Sequence, residues 1–275
     1  MNSRPSLDPK KIRPIGTYLS DITKELQERG KEPKLPILSL PNFNSKLWGL
    51  KEGLTVLGGR TSQGKSSLAL QIAQDMALQN IPVLFLSLEM TVESLIERIF
   101  CNQERVDSFN LIRGHYNIDT EIQDKWKSFQ NMIKDIPLLL TCGVGKNFNE
   151  IKEIITRLEP CPKVVIVDYI QAIAMMGSNT SREMMNEYIR LFRQLALERE
   201  FAGILCSQIN RGAEDGRGSM PRLSQLKETG VLEEHADTVL LLHYPRFYDQ
   251  NVENPNDFTI IIAKQRNGLT GAVKL

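Results

Sequence analysis

The sequence predicts an α/β fold, a mostly parallel twisted sheet with helices on both faces and an antiparallel edge. Three observations predict it. Short apolar, β-branched runs alternate with amphipathic helical patterns along the 275 residues. One early run, Leu54 to Gly58, passes directly into a glycine-rich loop and a helix start. The last two runs have no helical pattern between them, which implies a hairpin-like antiparallel pair rather than another crossover.

The elements follow in order. The polar, proline-bearing first residues are expected to be mobile. Ile15, Tyr18, Leu19, Ile22 and Leu26 then make a helical stripe that Gly30 terminates. This helix is detached from the rest by a stretch rich in Pro and Lys, so its apolar stripe needs a partner, either its own domain or another subunit. Strands are expected at 54–58, 83–88, 138–141, 164–168, 203–207, 238–243 and 258–263. Helical patterns lie near 68–78, 92–100, 122–133, 148–158 and 182–199.

Composition narrows the class. Hydrophobic residues make up 41%, enough for a proper core, and a net charge of +1 argues against a chain that coats nucleic acid with bulk charge. Four cysteines (Cys101, Cys142, Cys161, Cys206) lack C-x-x-C spacing and read as reduced thiols, and the three histidines show no ligand pairing. No apolar run approaches the roughly 18 residues of a membrane span, and no signal peptide is apparent, so a soluble cytoplasmic protein is expected.

The glycine-rich loop carries the chemistry. Gly59-Arg60-Thr61-Ser62-Gln63-Gly64-Lys65-Ser66 fits G-x-x-x-x-G-K-[ST], with Ser67 next in the helix. Glycines let backbone N–H groups curl toward phosphates, and the helix N-terminus adds its dipole. Lys65 is placed to reach the β and γ phosphates, and the Ser66 hydroxyl to ligate Mg²⁺. The sequence therefore predicts binding of a nucleoside triphosphate.

In parallel sheets, ligands sit at the carboxyl ends of strands. Glu89, Asp168 and Gln208 occupy three such ends. Together they supply a carboxylate to orient water, a carboxylate for the Mg²⁺ shell and an amide that can sense the γ-phosphate. Lys264 and Arg266 lie two apart at the end of the last long run and point to one side. They read either as solvated cations or as a pair that neutralises a neighbouring subunit's phosphates. Residues 208–230 form a long polar, glycine-rich stretch of the kind that is usually functional or disordered.

In this order the pieces resemble the RecA-like motor domain of DnaB-type replicative helicases, from about Ile15 onward. The motifs are the P-loop, Ser87-Leu-Glu-Met, Val165-Ile-Val-Asp-Tyr-Ile-Gln, Ser207-Gln-Ile-Asn-Arg-Gly and Ile262-Ala-Lys-Gln-Arg-Asn-Gly. The resemblance implies ATP and Mg²⁺ as ligands. It makes Glu89 the catalytic glutamate, Asp168 the magnesium-linked aspartate and Gln208 the γ-phosphate sensor, with Lys264 and Arg266 as the trans-acting lysine and arginine finger. Leu223-Ser-Gln-Leu-Lys-Glu-Thr-Gly resembles the family's loop that grips single-stranded DNA. Lys227, Glu228 and Gly230 are thereby DNA-contact positions, with Arg211 and Arg217 as further candidates.

The implied organisation is a mobile segment at 1–14, a linker helix at 15–30 docking on the adjacent subunit, a connector at 31–45 and the motor domain at 46–275. Implied partners are single-stranded DNA, five further copies in a homohexameric ring, and a helicase loader. The family's primase contact belongs to an amino-terminal helical domain that this chain lacks, and the chain reads as a motor domain taken from a longer helicase. Two residues depart from the family: the DNA loop carries Lys227 where arginine is usual, which keeps charge but loses the bidentate fork, and Thr61 stands where proline is common.

The implied activity is ATP-driven 5′-to-3′ translocation and DNA unwinding. Two other readings stay open: a recombinase-like or circadian-clock-like RecA ATPase that does not unwind, and a nucleotide-bound assembly module. The presence of both Glu89 and Asp168 argues against the last.

Overall fold

Eight strands form one sheet: β1 (Gly53–Gly59), β2 (Val83–Ser87), β3 (Leu138–Cys142), β4 (Val164–Asp168), β5 (Ala202–Gln208), β6 (Thr238–His243), β7 (Thr259–Gln265) and β8 (Gly271–Lys274). This computed structural model describes residues 14–28, 33–174, 181–209, 220–226, 229–248, 251–254 and 256–275. The spatial order is β3-β2-β4-β5-β1-β6-β7-β8. Strands β1 to β6 are mutually parallel, and β7 pairs antiparallel with both β6 and β8. The seven expected runs are all strands, and the antiparallel edge is present. It has two strands, because residues 271–274 add a further one that the apolar pattern does not single out.

β1, β2, β4 and β6 are buried at every position, so each reads as a continuous apolar run rather than an alternation. The period of two survives in which core each side chain joins. Val83 and Phe85 pack with helices α2 (Pro41–Leu47), α3 (Lys65–Leu78), α4 (Val92–Glu104) and α6 (Thr120–Ile133). Leu84 and Leu86 point the other way, into a core shared with α7 (Phe148–Arg157), α8 (Ile170–Ala174), α9 (Ser181–Glu198) and α10 (Thr229–His235). Side-chain caps start four of the described helices: Thr91 for α4, Asp107 for the helix at Ser108–Ile112, Asp119 for α6, and an Asn147–Glu150 capping box for α7.

The short helices α2, α5 (Ser108–Ile112), α8 and α10 span five to seven residues. That is too short for a 3.6-residue period to stand out in sequence. The stretch read as a connector, 31–45, contributes Ile37, Leu40 and Phe43 to the first core, so packing against the sheet reaches back at least to Ile37. α1 (Gly16–Glu28) is different. Its stripe is exposed, with Ile15 at 81%, Leu19 at 57%, Ile22 at 43% and Leu26 at 54%. The four cysteines are free thiols, and among the described residues no helix is long and apolar enough to cross a membrane.

Candidate active site

Strand order assembles the site. β2, β4, β5 and β1 are contiguous, so their carboxyl ends bring Glu89, Asp168, Gln208 and the P-loop into one row. The register is close: Ser87 lies opposite Asp168, and Gln208 opposite Gly59. The Asp168 carbonyl accepts the Leu88 N–H at 2.7 Å, which fixes the segment that presents the exposed Glu89. Asp168 itself is 2% exposed.

The P-loop leaves β1 at Gly59 and enters α3 at Lys65. Gly64 caps α3 in the left-handed region at φ +82°, a conformation that favours glycine. A Cβ at Gly59 would approach Lys65 Cγ to 3.0 Å, so the loop leaves little room beside the lysine stem. Lys65 is buried, and its ammonium donates to the Arg60 carbonyl at 2.8 Å. Burial holds its pKa below the ordinary lysine value, while the Cys206, Asp168 and Glu89 charges pull it back up. A bound polyphosphate would add to that upward pull. Ser66 and Ser67 are half-buried in the first turn of α3, and Thr61 and Ser62 are exposed.

Sequence reasoning missed three contributors. Cys206 is fully buried beside Asp168 and Lys65, and burial first, then the Asp168 charge, pushes its thiol well above the ordinary range. Tyr248 secures the loop: its hydroxyl accepts Gln63 Nε2 at 3.0 Å, and Gln63 Oε1 accepts the Arg60 N–H at 3.1 Å. The Arg60 guanidinium lies 5.5 Å from the ring centroids of both Phe247 and Tyr248. Gln171 is the third, a buried amide on α8 that bonds the end of β5. Tyr248 carries no signal by residue type or spacing, and Gln171, although it closes the Val165–Gln171 motif, is given no role by it, because both act through contacts across the sheet end. Gln208 Nε2 in turn donates to Thr61 Oγ1 at 3.3 Å.

A cavity of about 550 Å³ opens beside the start of α3, lined among others by Gly64, Ser67, Gln71, Asn256, Phe258 and Leu275. It pairs an aromatic ring with side-chain amides next to the loop that would hold phosphates. Among the described residues no cluster of three or more His, Cys, Asp or Glu could hold a metal. A divalent ion would therefore draw on the Asp168 carboxylate and the Ser66 hydroxyl, both hard oxygen donors that suit Mg²⁺ when phosphate and water complete the shell.

Lys264 and Arg266 are not in this row. β7 runs antiparallel to β6, with Lys264 opposite Val239 and Gln265 opposite Thr238, so the pair lies at the amino-terminal ends of the parallel strands. β1, seven residues long, separates that end from the P-loop by roughly 20 Å. Lys264 Nζ donates to the Glu233 carbonyl and, at 2.8 Å, to the Ala236 carbonyl, capping the C-terminus of α10. Arg266 pairs with Asp237 at 3.1 Å. Arg193 holds the same carboxylate through both oxygens, at 2.9 and 3.1 Å, and Asp237 also accepts the Leu54 N–H at 3.0 Å. Burial opposes ionisation of Asp237, but these hydrogen bonds and the two guanidinium charges outweigh it and hold its pKa below the ordinary value.

Of the positions expected to contact DNA, Gly230 is exposed in the first turn of α10. Lys227, Glu228, Arg211 and Arg217 lie outside the described residues.

Residues 37–275 match the family described as DnaB-like helicase C terminal domain. The chain is 32% identical over 281 residues to the replicative DNA helicase DnaB of Geobacillus stearothermophilus, covering 97% of this chain and 60% of that protein. It is 32% identical over 230 residues to the replicative DNA helicase DnaC of Bacillus subtilis, covering 82% of this chain and 50% of that one. The chain thus spans about half to three-fifths of the length of these relatives. Among solved structures, an ATPase domain superposes with a TM-score of 0.89 at 24% identity, covering 96% of this chain and 95% of that one. A DnaB-like replicative helicase solved to study its interactions with primase gives 0.86 at 24% identity, covering 96% of this chain and 64% of that one. At that identity these two establish the shared fold.

Proposed function

Because the chain belongs to the DnaB-like helicase C-terminal domain family, we propose that it is an ATP-hydrolysing motor that translocates 5′ to 3′ on single-stranded DNA and unwinds duplex as part of a homohexameric ring. One observation carries the reading furthest. Four strand ends gather the phosphate-binding groups of this reading, while the two cations that it needs sit at the opposite end of the sheet. Such a site is completed only by a second copy, head to tail, as in a ring.

Roles follow from position. The P-loop amides of residues 59–64 and the Lys65 ammonium hold the triphosphate, and Lys65 exchanges its Arg60 carbonyl for phosphate oxygens. Ser66 and Asp168 hold Mg²⁺, which when bound neutralises phosphate charge. Glu89, exposed at the rim, orients the attacking water, and Gln208 senses the γ-phosphate. The cavity at Phe258 and Gln71 receives the nucleoside. Lys264 and Arg266 of one copy reach the next copy's phosphates, giving up the α10 carbonyls and Asp237 as they do so.

The α1 stripe docks on the neighbouring copy, and an exposed apolar patch at Phe109, Ile112, Tyr116 and Ile118 offers the same chain a receiving surface. Gly230, with Lys227 and Glu228, follows the DNA backbone, and Arg211 and Arg217 add charge to that path. A loader and primase are partners implied for the whole protein rather than for these residues.

The test is ATPase activity with and without single-stranded DNA, read beside molar mass from light scattering. DNA-stimulated hydrolysis that rises with ring formation, and vanishes in Lys65→Ala, is the expected result. Full-rate hydrolysis by a monomer would overturn the shared-site reading.

A further inference from the structure

We propose that Gln171 is a positioning residue that ties the γ-phosphate-sensing end of β5 to the Asp168 end of β4. This rests on the reading of Gln208 as the sensor. The β4–β5 ladder ends at Val167 and Leu205. Beyond it, Asp168 on one strand and Cys206, Ser207 and Gln208 on the other have no backbone pairing with each other, whereas β5 stays paired with β1 as far as Gln208. Two strand ends that must present a metal carboxylate and a sensing amide to one phosphate are thus left without a backbone link.

Gln171 supplies it. It lies three residues after Asp168, in the first turn of α8, and is 4% exposed. Its Nε2 donates to Ser207 Oγ at 2.9 Å, and its Oε1 accepts the Gln208 N–H at 3.3 Å. Both ends of the amide are used, and both partners lie on the unpaired part of β5. Ser207 is fully buried, so a lost bond there is not made up by water. Because Gln208 also donates to Thr61, the side-chain chain runs from α8 through the sensor to the P-loop. A shift of the Gln208 backbone would therefore break the Gln171 bonds or carry α8 with it, whereas rotation of the Gln208 side chain alone leaves them in place.

The experiment is a double-mutant cycle in the full chain. Gln171→Met keeps size and removes both bonds. Its kcat should fall about tenfold, the order expected of a small misplacement of one group, with KM for ATP within about twofold because the P-loop is intact. Gln208→Ala sets the reference, and the double variant should be no slower than Gln208→Ala alone. Multiplying losses, or a Gln171→Met enzyme within about twofold of the parent while Gln208→Ala is impaired, would overturn the tie. If Gln208→Ala itself hydrolyses normally, the sensor assignment falls instead, and the tie with it. Should Gln171→Met fail to fold, Ser207→Ala carries the same cycle. A loss of about threefold that disappears in the Gln208→Ala background supports the tie, and no loss overturns it.

Discussion

Replacing Arg266 by alanine separates a structural arginine from one that acts on a neighbouring copy's nucleotide. In its own chain Arg266 is 47% exposed and pairs with Asp237 at 3.1 Å, while Arg193 holds both oxygens of that carboxylate. A pair this exposed is worth about 0–1 kcal/mol, so the variant should fold and melt almost as the parent does. If that pair were its whole purpose, the folded variant would hydrolyse ATP at close to the parent rate. An arginine finger in trans is worth about 10³–10⁵ in kcat, or roughly 4–7 kcal/mol of transition-state stabilisation. The two readings differ by at least two decades, which a coupled ATPase assay resolves easily.

The decisive arm mixes Arg266→Ala with Lys65→Ala. Each is inactive alone, but an interface joining an intact P-loop to an intact finger forms at about one junction in four if subunits mix at random in a head-to-tail ring. Activity should return to about a quarter of the parent's. A mixture that co-assembles yet stays inactive would refute the trans assignment, as would an Arg266→Ala loss below about tenfold.

Glu89→Gln should bind a non-hydrolysable analogue normally but hydrolyse ATP about 10²–10⁴-fold more slowly, whereas Asp168→Asn should act through the metal and recover partly at high Mg²⁺; equal loss of analogue affinity in both would contradict the division of roles. Asp237 has a folded pKa below its ordinary 3.8, so its contribution to stability is present above that value and lost as pH falls through the depressed one. Thermal melts should accordingly show an acid limb below about pH 4 that Asp237→Asn flattens; an unchanged limb would mean that other carboxylates carry it. Leu19→Ser with Ile22→Ser should leave the melt unchanged and shift molar mass toward monomer, because both side chains are exposed on α1; unchanged assembly in light scattering would remove the helix from the interface.

Much of this molecule is legible in its sequence because local chemistry decides it. Seven strands show as apolar runs, and β1, β2, β4 and β6 do so most plainly because strands buried at every position exclude polar residues. The P-loop shows as a fixed spacing of Gly59, Gly64, Lys65 and Ser66, because the backbone must curl around phosphate wherever that loop occurs. Glu89, Asp168 and Gln208 stand out as polar residues that end apolar runs. Harder to read are α2, α5, α8 and α10, each shorter than two helical turns, and β8, whose four residues alternate between exposed and buried.

What the tertiary structure alone decided is adjacency. No local rule in residues 53–59, 83–87, 164–168 and 202–208 states that they lie side by side in the order β2-β4-β5-β1, yet that order makes four isolated strand ends one site. The antiparallel course of β7 likewise carries Lys264 and Arg266 away from their own P-loop and onto α10 and Asp237. Spacing places them two apart on one side of a strand, but the direction of that strand depends on its pairing with β6. Gln171 and Tyr248 are the clearest cases, one reaching β5 from α8 and the other reaching the P-loop from beyond β6. A side chain's type and its neighbours in the chain are local properties, whereas a hydrogen bond between residues 36 or 185 positions apart exists only after the sheet has closed.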